Sequence, residues 1–70
     1  MIPLAMAAPG ETVTIQKITG KDEMRQHLAE LGFVVDAAVT VISEMAGSLI
    51  LQVKDSRIAL DRSMANRIMV

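Results

Sequence analysis

The chain's one histidine, His27, stands in MRQHLAELGF (24–33), with Glu23 one helical turn before it and Glu30 nearly one turn after it. At about 100° per residue, a helix brings Glu23, His27 and Glu30 together on one flank. An imidazole between two carboxylates suits a divalent ion such as zinc or ferrous iron. Three ligands on one exposed helix leave a coordination sphere open, so an ion bound here would take its remaining ligands from a second molecule or a partner. The same spacing has a plainer use, since a Glu–His pair at i, i+4 supports a helix by roughly 0.2–0.5 kcal/mol with no metal at all. Two readings therefore stand: a weak divalent-metal site that the fold does not require, or the polar edge of a small helix.

Little else in the chain offers chemistry. With no cysteine, disulfides and thiolate zinc sites are excluded. No P-loop, HExxH or GxSxG motif is present, and one histidine cannot support triad or extensive acid–base chemistry; no enzymatic activity is expected. A formal net charge of −1 lacks the basic footprint of a nucleic-acid binder, and without Tyr or Trp the chain also lacks stacking platforms for bases. The apolar start MIPLAMAAP has no basic n-region and contains Pro3 and Pro9, unlike a signal peptide. No stretch reaches the roughly 18 apolar residues of a membrane span, so a cytoplasmic protein without direct membrane insertion is expected.

The elements that position these residues are short. Seventy residues form one domain, 1–70, and a chain of this size buries only about 60% of its unfolded surface. Hydrophobic residues make up 51% of it, yet Phe33 is the one aromatic, so the core must be aliphatic. Turn signals at Pro9-Gly10, Thr19-Gly20, Gly32, Gly47-Ser48 and Asp55-Ser56 separate segments rich in β-branched residues. Alternation predicts strands over 12–18, 38–43, 48–53, 57–60 and 67–70. Val13 with Ile15, Val39 with Val41, and Leu49 with Leu51 and Val53 make their inner faces. Ile18 falls out of phase, which marks a strand end or bulge.

Met24, Leu28 and Leu31 recur instead with the helical period and predict a helix over 22–31. Asp22 is its expected N-cap and Gly32 its left-handed C′ residue. A short helical turn is expected near 61–66. The fold class is mainly β: a partly open barrel of about five antiparallel strands, plugged at one end by the helix.

The order of these features resembles the ferrous iron transport protein A family, over 4–70. The residues that carry the likeness are Pro9-Gly10-Glu11, Ile15, Ile18 and Gly20, then Arg25, Leu28 and Glu30-Leu31-Gly32-Phe33. Val39, Val41, Gly47, Ile58-Ala59-Leu60, Ala65, Ile68 and Val70 continue it. The family's usual glycine four residues after Gly32 is replaced by Asp36, the turn before Ile58 carries Asp55-Ser56, and the central hairpin is shorter and lacks a proline.

The resemblance implies an SH3-like barrel and a cytosolic accessory role in bacterial ferrous iron uptake. In that role the chain docks on the cytosolic part of the membrane GTPase, ferrous iron transport protein B. The same module also closes some iron- and manganese-dependent repressors. The alternative implied is therefore a free-standing, metal-responsive regulatory domain. Proline-rich recognition uses grooves lined with Tyr and Trp, which this chain lacks, so a partner must meet aliphatic surface. Ile42, Ile50 and Met69, out of phase with the inner faces, and Met45 near the hairpin tip are the candidate partner-binding residues. They either form that surface or pack against the N-terminal segment and helix. A monomer or weak homodimer is expected.

Overall fold

The helix and the chain reversal that follows it explain most of the architecture. In the computed structural model, which describes Met1–Val70, helix α1 runs Asp22–Glu30. Its end is a complete Schellman turn: the Phe33 N–H donates to the Leu28 carbonyl (2.9 Å) and the Gly32 N–H to the Ala29 carbonyl (3.0 Å). Gly32 has φ +104, as the C′ position demands, and Leu28 and Phe33, which flank the turn, are both fully buried. The start of α1 differs from expectation. Lys21 is the N-cap and makes no side-chain cap bond, while Asp22 lies inside the first turn and pairs with Arg25.

Six short strands form two antiparallel sheets. Strands β1 (Thr12–Thr14), β3 (Ala38–Met45), β4 (Ser48–Val53) and β5 (Ser56–Asp61) assemble in the order β1-β3-β4-β5. Strand β2 (Lys17–Ile18) pairs with β6 (Ile68–Met69) in the second sheet. The expected strand 12–18 is thus divided. The chain leaves β3 after Thr14, and the Gln16 N–H reaches the Met69 carbonyl instead (2.8 Å). Ile15 sits at the crossing, fully buried between the sheets. This division turns the expected five strands into six and allows so few residues to curl around a core.

A bulge between Val41 and Ser43 makes Ile42 an extra residue of β3 and adds bend and twist to the sheet. Inside lie Val39, Val41, Leu49, Leu51, Val53 and Leu60, closed by Leu28 and Phe33. Leu4, Ala5 and Ala7 are buried as well. The 3₁₀ turn Leu4–Met6 is carried there by paired main-chain bonds between Ile2 and Val70 (3.0 and 2.8 Å). A one-turn helix, α2 (Arg62–Ala65), follows β5 and is capped by the Asp61 carboxylate, which accepts from the Met64 N–H (3.3 Å). Its Arg62 pairs with Glu44 and donates to the Ala5 carbonyl (3.3 Å), tying the hairpin to the N-terminal turn.

Both tight hairpins place non-glycine residues at positive φ. Ala46 (φ 48) and Gly47 (φ 83) connect the Met45↔Ser48 pair, as in a type I′ turn. The second turn is Lys54-Asp55, with Lys54 at φ 53 and Ser56 already in β5, one residue earlier than the sequence suggests. Asp36 takes φ 75 at the place where the resembling family has glycine.

Gly32→Ala forces a β-carbon into the left-handed region and is expected to cost about 1–2 kcal/mol, lowering the melting temperature by several degrees. Ala46→Asn, which suits the first turn position, is expected to add about 0.5–1 kcal/mol in the same thermal unfolding measurement.

Candidate functional site

Helix α1, α2 and the residue before β6 enclose an open groove lined by Lys21, Glu23, Met24, His27, Met64 and Arg67. Its floor is apolar because Met24 and Met64 pack against the core. Its rim carries two cations, one carboxylate and the imidazole. Thr19 anchors the far wall: its N–H and hydroxyl both donate to the Arg67 carbonyl (2.7 and 3.2 Å).

Of the three residues whose spacing suggested a metal site, Glu23 and His27 share this groove, whereas Glu30 does not line it. No group of three or more His, Asp or Glu side chains is arranged to hold an ion. The chain's own residues thus do not complete a three-ligand shell from Glu23, His27 and Glu30. Lys21 and Arg67 on the same rim repel any cation that approaches. Neither Arg67 nor Met64 could be assigned to the site from local spacing, since α2 and Arg67 come from the far end of the chain.

Three of the four partner-binding candidates, Ile42, Met45 and Ile50, lie along β3 and β4 of the larger sheet. Ile50 pairs with Ser43 on β3 and Ala59 on β5, all three directed away from the inner row of Leu49 and Leu51. Ile42 occupies the adjoining bulge, and Met45 at the hairpin tip is 64% exposed. Ile42, Ile50 and Met69 are each half-buried, but none belongs to the hydrophobic residues packed on the core. Met69 stands apart from the other three. It pairs with Lys17 and bridges to Pro3 in the smaller sheet. A further apolar surface, not signalled by periodicity, is exposed at Val34 and Val35 beside a shallow trough between α1 and β2.

Residues 2–70 match the FeoA domain model. A Methanocaldococcus jannaschii protein assigned as an Fe(2+) transport protein A is 37% identical over 70 residues, covering all of this chain and 85% of its own. The crystal structure of an iron uptake regulatory protein, FeoA, superposes with a TM-score of 0.88 at 30% identity, covering 96% of this chain and 89% of that one. Stenotrophomonas maltophilia FeoA, crystallised with zinc and described as a procaryotic SH3 domain protein, gives 0.81 at 25% identity over 99% and 88% of the two chains. A manganese-dependent transcriptional repressor shares the fold, with a TM-score of 0.85 at 23% identity over 94% of this chain and 38% of its own. The expected SH3-like barrel is therefore the fold found, and the chain belongs to the FeoA domain family.

Proposed function

We propose that this chain is a noncatalytic accessory module of ferrous iron transport, acting in the cytoplasm by docking on the cytosolic part of the membrane GTPase, ferrous iron transport protein B. The observation that carries this reading is the outer apolar surface at Ile42, Met45 and Ile50, which the core does not use, on a chain of the FeoA family. Burying apolar area at about 25 cal/mol per Å² supplies the attraction. The flexible Met45 side chain lets the tip adapt to an irregular partner. No helix is long and apolar enough to cross a membrane; in this reading the transport step belongs to the partner.

A second reading is supported by the groove shared by Glu23 and His27 and by the zinc carried by Stenotrophomonas maltophilia FeoA. Here a divalent ion binds weakly at His27 with Glu23 or Glu30, a second molecule completes the shell, and the ion changes association.

Ile50→Asp is expected to leave the circular dichroism spectrum unchanged while weakening co-purification with the cytosolic part of the GTPase by tenfold or more; a variant that unfolds would instead assign Ile50 to the core. His27→Ala is expected to abolish zinc or ferrous titration heat if the second reading holds, and unchanged heat removes it.

A further inference from the structure

We propose that the free edge of β5 is a self-association surface on which a second copy of this chain pairs antiparallel, about a two-fold axis at Ala59. The proposal stands on main-chain geometry and charge, independently of the iron-transport reading.

The direction of each main-chain group can be followed across the larger sheet. The Gly10 N–H donates to the Val41 carbonyl (2.6 Å) and the Val41 N–H to the Glu11 carbonyl (2.9 Å), so Val41 turns its polar groups toward the β1 side. In an antiparallel ladder these directions alternate. Thr40 therefore faces β4, where it meets Gln52, and the neighbours of Gln52, Leu51 and Val53, face β5. They meet Ile58 and Ser56. The groups left facing outward on β5 are the N–H and C=O of Arg57 and Ala59 and the N–H of Asp61, whose carbonyl begins α2. No other strand pairs with this edge, since β5 ends the sheet order, and Arg57, Ala59 and Asp61 are all exposed.

An unpaired, unbulged edge of six residues is a template for another strand. The side chains decide which strand and which register. Arg57, Ala59 and Asp61 share the outer face, where Arg57 Nε donates to Gln52 Oε1 (3.3 Å). Antiparallel pairing centred on Ala59 sets Ala59 against Ala59 of the second copy. It also sets Arg57 against Asp61 of that copy, twice by symmetry. A shift of two residues one way opposes Asp61 to Asp55, and the other way opposes it to Ala59. Only the Ala59-centred register sets unlike charges opposite each other, and opposite charges directly across strands stabilise where like charges repel. It pairs the Ala59 N–H and C=O with those of the second copy and the Asp61 N–H with the Arg57 C=O, leaving the Arg57 N–H to water. Asp61 keeps a carboxylate oxygen for this contact, because its cap of α2 uses Oδ1. The same register joins Ile50 and Ala59 of the two copies into one continuous outer row, as an isologous interface requires.

Sedimentation equilibrium of the full chain from micromolar to millimolar concentration tests the proposal. A dimer that weakens with added salt is expected, with the exchange of the Ala59 amide slowing as protein concentration rises. Arg57→Glu should weaken association by about tenfold or more. Asp61→Asn, which retains a capping oxygen, should fold and lose most of the salt dependence. A chain that remains monomeric throughout, a dimer as tight in Arg57→Glu as in the wild type, or a dimer whose Ala59 amide stays unprotected would each overturn it.

Discussion

The fold depends on the turn by which the chain leaves its helix. Leu28 and Phe33 are buried on either side of Gly32, and the bond from the Phe33 N–H to the Leu28 carbonyl satisfies a helix-end acceptor that burial would otherwise leave unpaired. One constraint therefore ends the helix, seats the only aromatic side chain in the core and aims the chain toward β3. A core otherwise built of Val, Leu, Ile and Ala has no second bulky group to compensate for Phe33, so the position of this turn fixes how the helix plugs the barrel. Asp36 completes the reversal: its N–H donates to the Ile15 carbonyl (2.8 Å), while the Ile15 N–H donates to the Ala37 carbonyl (2.9 Å).

From that anchor the sheet closes on one side and stays open on the other. The break at Ile15 sends the chain from β1 on to β2 and its partner β6, and the bulge at Ile42 bends β3; together they bring both sheets around an interior with no buried polar or charged residue. Ion pairs contribute little to this closure. Asp22–Arg25 is a surface pair, worth at most about 1 kcal/mol. Arg62 differs because it joins Glu44 to the Ala5 carbonyl across three parts of the chain, and its value is positional. The open side ends at β5, so the same economy of strands that lets seventy residues form a barrel leaves main-chain groups without partners.

The elements legible in the sequence are those whose signal is local. Met24, Leu28 and Leu31 at helical spacing, followed by Gly32, define α1, and alternation in 48–53 defines β4 with its inner row intact. Where the decision is tertiary, local pattern fails. Leu4, Ala5 and Ala7 look like an apolar tail, yet they are core, because Ile2 pairs with Val70 from the opposite end of the chain. Asp22 has the chemistry of a cap but serves Arg25, and the chain enters the helix one residue earlier, at Lys21. The site divides in the same way. Glu23 and His27 meet in one groove because a helix turn relates them, while Met64 and Arg67, which make the opposite wall, carry no pattern that links them to α1.

The absence of Tyr and Trp has a consequence for the kind of recognition such a barrel can perform. Aromatic grooves read proline-rich segments by packing rings against a preformed helix, and a surface of Ile, Met and Ala offers neither rigid planes nor side-chain donors. Aliphatic contact alone is adaptable but poorly directional. Direction has to come from groups with fixed geometry, and on this molecule those are the main-chain N–H and C=O groups along β5 and the charges at Arg57 and Asp61 that frame them. Affinity from the apolar row through Ile50 and orientation from the adjacent strand edge meet at Ala59, which belongs to both.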